Sequence, residues 1–317
     1  MYFTHLRLIT QAELSVPVSD CVISVPGWFS DAQRRHVADA ADIAGLHPLH
    51  ILNDLAAAAL GYGITRLDLP EPHLKPRTVV FVDVGHANTQ VAVVSFVKGK
   101  LVVKGTACDR DLGGRDFDEV LARHFCGEFK VSAKIDIASN PKGMTRLRAN
   151  CEKVKKILSA NLITMLNVEC VMDDKDVSAT VDRVLFESLS KPLLERIKIP
   201  IAAALKAASV SADHVDFVEL IGGSTRIPSV KDFLSNVFGP DKLSTTLNQD
   251  EAVARGCALQ CAILSPVFKV RDFTVQDWNG YATSICWDPK VCPEGSGGVY
   301  LLSPSPFFFF SLALCLS

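Results

Sequence analysis

One stretch, Val215 to Pro228, restricts what this chain can become more than any other. Its first seven residues carry Val, Phe, Val, Leu and Ile in a strand pattern that runs into Gly222, Gly223 and Ser224. A helix pattern resumes just after. Glycines at such a handover let backbone amides approach an anion closely, and a helix N-terminus adds favourable partial charge. Arg226 supplies a planar cation suited to lie on an aromatic base. Strand, glycine turn, Ser, Arg and helix together read as a nucleotide pocket. The plainer alternative, a strand-to-helix turn without a ligand, is decided by the rest of the chain.

Around this stretch the pattern alternates between strands and helices. Val18 to Val25 and Leu49 to Leu52 read as strands. Ser30 and Gln33 form a capping box that opens a helix ending at Ala44, with Gly45 as its stop. Asn53 and Asp54 read as the cap of a helix over 55–60 whose Ala56 to Ala59 leave room for close backbone approach. Three prolines between Leu67 and Arg77 mark a connection. Val79 to Val84, Gln90 to Val97 and Leu101 to Thr106 read as a meander. Helices follow near 115–129 and 141–160, then a strand over 162–168. The helical stretch 182–207 contains Pro192 and Pro200, and the spacing predicts a kink or break there. A strand over 215–221 and helices over 227–238 and 250–264 complete the pattern, which is mixed α/β with helices packed on twisted sheets. From Val267 to Val275 the residues alternate cleanly, which predicts the opening of a separate β domain.

Composition excludes several classes. The 317 residues carry a formal charge of −2, so no global basic signal points to nucleic acid or an anionic membrane. The 8 His are scattered, and none of the 10 Cys forms a C-x-x-C pair. Cys257 and Cys261 share a helix face and read as small buried thiols in a reduced compartment. No signal-peptide pattern opens the chain, so the cytoplasm is expected, with the nucleus as second compartment. The segment from Gly298 to Ser317 is apolar, low in complexity and broken by Pro304 and Pro306. It makes a poor membrane span and reads as an aberrant tail, the product of translated intron sequence.

Three further motifs accompany the glycine turn. Asp83 to Thr89 is a strand-turn-strand with one carboxylate at its base, placed to hold a magnesium-bound water while the amides near Gly85 meet a phosphate. Glu152, Lys155, Lys156 and Ser159 share one helix face at i, i+3, i+4 and i+7. A ribose suits the Glu and a Lys, and a base edge suits the Ser; a solvated charged stripe is the plain alternative. Asn248 to Gly256 starts a helix whose small residues match the Ala-rich helix at 55–60. Two such helices suggest lobes hinging across a cleft, with Gly61 and Gly256 at their contact.

These residues resemble the heat shock protein 70 superfamily, specifically its large heat shock protein 110 branch. The resemblance is carried by Val25-Pro26, Asn53-Asp54, Phe81 to His86, Gly105 to Asp109, Gly113 to Asp118, Lys156 to Asn161, Ile221 to Pro228 and Leu243 to Val253. It runs in order from about Ser19 to about Trp287, and His86 favours the large branch. It implies an actin-like, two-lobed ATP-binding domain followed by a peptide-gripping β-sandwich. The divisions it implies are 1–72 as a remnant of the first lobe, 73–249 as the second lobe, and 250–266 as a return helix and linker. Residues 267–290 would be first strands of the β domain, and 291–317 the aberrant tail. The implied nucleotide contacts are Asp83, Gly85, His86, Glu152, Lys155, Lys156, Ser159, Gly222, Gly223, Ser224, Arg226 and Asp250, around ATP or ADP with Mg held by Asp83 through water. Lys156 stands where ordinary members use an Arg that stacks on adenine.

Departures from the family pattern shape the expected activity. The first phosphate hairpin and the Lys that reaches the phosphates are not in the sequence. Ala87 and Asn88 replace a Gly and a Thr, and Gln90 replaces an Asp that places metal and water. Phosphoryl transfer works by positioning and charge, so these changes weaken hydrolysis more than adenine binding. The resemblance thus implies an ATP-binding co-chaperone that exchanges nucleotide on a heat shock protein 70 partner and holds unfolded clients, with weak or no required ATPase activity. An ATP-hydrolysing foldase, a small-molecule kinase on the same fold and a non-functional fragment are the alternatives. For this chain, weak nucleotide affinity is expected.

Overall fold

The computed structural model describes residues 1–172, 175–281, 283–286 and 299–302. The chain opens with α1 (Tyr2–Leu14), β1 (Asp20–Val25), α2 (Asp31–Ile43), β2 (His47–Asn53) and α3 (Asp54–Thr65). Next come β3 (Arg77–Val84), β4 (Thr89–Val97), β5 (Lys100–Asp109), α4 (Gly114–Ser132) and α5 (Pro141–Leu158). Then follow β6 (Ile163–Met172), β7 (Lys175–Asp182), α6 (Arg183–Ala208), β8 (Phe217–Ile221), α7 (Pro228–Phe238) and β9 (Leu243–Ser244). The described chain closes with α8 (Ala252–Leu264), β10 (Thr274–Gln276), β11 (Thr283–Cys286) and β12 (Val299–Leu302). The fold is the mixed α/β one expected from the sequence.

A six-stranded mixed sheet in the order β10-β5-β4-β3-β8-β9 forms the centre. β3, β4 and β5 make the antiparallel meander, whereas β8 runs parallel to β3 and β9 parallel to β8. The sheet is covered on both faces, and β3 shows how the sequence achieves this. Val79 and Phe81 face a core shared with α3 and α8, while Val80, Val82 and Val84 face a core built from α4, α5, α6 and α7. A strand buried on both sides reads as a continuous apolar run, as this one does. Each such side chain contributes about 1.5–3 kcal/mol of burial.

α3 and α8 cross at their small residues. A Cβ on Gly256 would stand 1.9 Å from the Ala57 carbonyl oxygen, and Gly61 faces Gly256 at ordinary contact distance. The expected contact of two small-faced helices is therefore present. Cys257 is buried on α8, and Cys261 is half-buried beside β1. Asn53 does not cap α3 with its side chain; it accepts from Arg34 Nη2 at 2.5 Å and donates to the Trp278 carbonyl.

Several local expectations change. α6 runs without interruption through Pro192 and Pro200. Leu193, Ile197, Pro200, Ile201 and Ala204 bury one side of it, and that packing outweighs the roughly 3 kcal/mol a proline costs a helix interior. α1 has no buried residue and no side-chain cap, which explains why its pattern is faint. β7 pairs with β6 as a hairpin that the sequence pattern did not suggest. The alternating run after Val267 contributes an edge strand to the main sheet: β10 pairs with Lys100 to Val102, and Phe273 packs against Phe96 across Gly63. The tail expected to be aberrant lies outside the described residues except for β12, which pairs with β11. No helix among the described residues is long and apolar enough to cross a membrane.

Candidate functional site

Strand register brings the candidate loops to one end of the sheet. Asp83 on β3 is level with Ile221 on the parallel β8, so the turn at Gly85 and the turn at Gly222 leave the sheet side by side. Thr89 pairs with Val84 and with Asp109, which brings the end of β5, and so the start of α4, to the same place. β9 delivers the loop 245–251 beside them. Glu219, fully buried on β8, fixes that loop by accepting from Leu247 N at 2.8 Å and Thr246 Oγ1 at 3.1 Å.

The glycines there serve close approach. A Cβ on Gly222 would meet Asp83 Oδ1 at 2.3 Å and the Val84 carbonyl at 2.5 Å, and its φ of 81° is one that favours glycine. The Gly85 carbonyl accepts from Gly114 N at 2.9 Å and from Ser224 Oγ at 2.9 Å. The Gly85 and Gly222 amides donate to the carbonyls of Asn88 and Gln249. These two amides are thus spent within the protein, unlike the anion donors expected of them. A short 3₁₀ turn, Gly223–Arg226, stands between β8 and α7, and the helix starts at Pro228, next to the expected position 227.

Arg226 lies at the edge of a polar depression of 560 Å³ lined with Lys231, Thr245, Thr246, Asn248 and Gln249. Its Nε donates to Gln249 Oε1 at 2.8 Å and its Nη2 to Asp250 Oδ2 at 2.5 Å. Asp250 also sits 3.6 Å from where a Gly223 Cβ would be. Stacking on a base uses the flat face of a guanidinium, whereas these bonds use its edge. The α5 residues are held otherwise. Lys155 Nζ is buried against Asp118 and the Gly114 carbonyl. Glu152 and Lys156 pair at 2.7 Å, with the Lys156 hydrogen bond holding the Glu152 carboxyl below its usual range. Ser159 Oγ donates to the Lys155 carbonyl. Contacts therefore join Asp83, Gly85, Gly222, Gly223, Ser224, Arg226, Asp250 and Lys155 into one neighbourhood. Glu152, Lys156 and Ser159 bond within α5, and the exposed His86 enters through its backbone, accepting from Arg115 N.

Asp83 carries the main electrostatic signal. Burial, then the nearby Asp54 carboxylate, pushes its pKa up to about 7. Asp54 is itself raised by burial and is held by Gln90 Nε2 at 3.1 Å. Two close, poorly solvated carboxyls fit a divalent cation of the kind that binds through one or two carboxylates, water and phosphate oxygens. Among the described residues no group of three or more His, Cys, Asp or Glu gathers as a cation site, so phosphate and water oxygens would complete the shell. When bound, such a cation supplies charge to phosphate oxygens; Asp83 and Asp54 would hold it. Sequence reasoning takes Asp54 for a helix cap and gives Asp118 no role. The acidic residue after Asn53 and the i, i+4 step from Gly114 to Asp118 are the available signals.

Comparison with known proteins bears on this geometry. The profile of the family described as Hsp70 protein matches residues 1–293. Heat shock protein hsp88 of Neurospora crassa is 52% identical over 288 residues, which cover 91% of this chain and 41% of that protein. A heat shock protein homolog of Saccharomyces cerevisiae is 48% identical over 294 residues, 93% of this chain and 42% of its own. A 97 kDa heat shock protein of Strongylocentrotus purpuratus is 50% identical over 298 residues, 93% and 33% respectively. The chain spans about two fifths or less of the length of these relatives. It belongs to the Hsp70 family, within the large branch that these heat shock proteins represent.

Proposed function

We propose that this chain is the nucleotide-binding part of an ATP-binding co-chaperone that releases nucleotide from a heat shock protein 70 partner and holds unfolded clients. The observation that carries the reading is the meeting of the Gly222 to Arg226 turn, the Asp83 to Gly85 turn and the start of α4 at one end of the sheet. Adenine nucleotide with magnesium is the ligand class. Arg226, Asp250, Gly223 and Ser224 would meet the nucleoside, with Glu152, Lys155, Lys156 and Ser159 on the α5 side. Asp83, Gly85 and His86 would lie toward the phosphates. The cytoplasm is the proposed compartment.

Exchange is favoured over hydrolysis by Gln90. An uncharged amide, engaged with Asp54 and the Gly27 amide, stands where hydrolysing relatives are expected to carry a carboxylate. Transition-state charge and water placement both depend on such groups. The test is single-turnover ATP hydrolysis by the longer protein that contains this chain, alongside ADP release from a heat shock protein 70 partner. Accelerated release without hydrolysis is expected. Rapid hydrolysis without accelerated release would overturn the reading in favour of a foldase.

A further inference from the structure

The sequence pattern assigns the Lys155 ammonium to a ribose, yet three oxygens already surround it. Nζ donates to the Gly114 carbonyl at 2.8 Å and to Asp118 Oδ2 at 2.9 Å, and stands 2.8 Å from Asp118 Oδ1. The two side chains are only 10% and 9% exposed. This pair differs from the exposed ion pairs of the surface, such as Lys156 with Glu152, whose side chains are 70% and 43% exposed. Position matters as much as burial. Gly114 is the residue whose amide reaches the Gly85 carbonyl, and a Cβ on it would strike Ser224 Oγ at 2.4 Å and approach Lys155 Nζ to 3.3 Å. Lys155 thus stands behind the junction of the two turns, with its charge compensated from within.

We propose that Asp118 sets the nucleotide affinity of this site by acting as an internal counter-ion for Lys155, so that a ligand gains the ammonium only by drawing it away from Asp118. The assignment rests on the nucleotide reading above. Its physical basis is competition: charge-assisted hydrogen bonds are the strong ones, and a ligand oxygen must displace one already formed in a poorly solvated seam. Asp118 responds to the same balance, since burial pushes its carboxyl up while Lys155 pulls it back down. Asp118 acts on the ligand through Lys155 and is an affinity-setting residue that does no chemistry.

Three variants decide the matter: Asp118→Asn, Lys155→Met and the double change. ADP binding is followed by calorimetry, and acetic anhydride labelling of Lys155 by mass spectrometry. Asp118→Asn should bind ADP about tenfold more tightly than the parent chain, an energy of about one charge-assisted hydrogen bond. The double variant should bind as Lys155→Met does, because the gain runs through the lysine. Acetylation of Lys155 should be slow in the parent chain beside the exposed Lys153, and fast in Asp118→Asn. The parent-chain labelling needs no variant to fold: Lys155 reacting as fast as Lys153 would overturn the assignment. So would equal or weaker ADP binding by a folded Asp118→Asn. If the parent chain binds ADP but the variant gains nothing, only this assignment falls. If no form binds ADP at millimolar concentration, the nucleotide reading falls and takes the assignment with it.

Discussion

Asp83 is the residue whose protonation state is most tied to this fold. Its folded pKa of about 7 lies above the usual carboxylate range because burial, then Asp54, disfavours the charge. The folded chain therefore retains a proton that the unfolded chain has lost between about pH 4 and 7. The contribution to stability is complete below the unfolded value and disappears as pH rises through about 7. In buffer with a chelator, Asp83→Asn should therefore gain stability over the parent chain as pH rises from 5 to 8, on the order of 3 kcal/mol. Urea denaturation across that range measures it. A difference that stays flat with pH would show that Asp83 is solvated and charged. Magnesium with nucleotide should narrow the gap by stabilising the charged carboxylate.

Among the elements, the pairing of α3 and α8 was legible because it is written in residue size. A run of four alanines and a glycine one turn apart leave little else for those helices to do than approach closely. The structure sharpens the reading by making the two glycines unequal. Gly256 faces the Ala57 backbone at a distance no Cβ can occupy, whereas Gly61 has ordinary room. Gly256→Ala should cost about 3 kcal/mol by forcing the helices apart, and Gly61→Ala should be neutral or stabilising by about 0.5–1 kcal/mol through reduced chain entropy. Urea midpoints of the two variants test this; equal effects would contradict the helix contact. Other elements were legible for similar reasons. The meander showed in its apolar alternation, and the helix at 31–43 in the capping box that Ser30 and Gln33 do form. α1 was not legible, since it buries nothing and lacks a cap. α6 misled because local propensity says nothing of the core that covers Pro200. The alternation over 267–275 predicts a strand without naming the sheet it joins, and 274–276 pairs with β5 of the central sheet.

For the whole molecule, the candidate site is a product of topology. Four passages far apart in sequence leave the central sheet at one end because β3 and β8 are parallel neighbours while β4 and β5 return antiparallel. The motif residues were visible in the chain one by one, Gly222 through its turn and Asp83 through its hairpin. What sequence did not reveal is which hydrogen bonds they keep for themselves. The Gly85 and Gly222 amides, the Lys155 ammonium and the edge of Arg226 all have partners inside the protein. Those partners come from other segments, so neither local pattern nor helix-face spacing announces them. Each bond must be exchanged or kept when a ligand enters.

The most direct test of the convergence is photolabelling with 8-azido-ADP, followed by peptide mapping with and without excess ADP. The account predicts label on residues 152–159 and 222–226, both lost on competition with ADP. Label confined to other segments, or unaffected by ADP, would contradict a common adenine site.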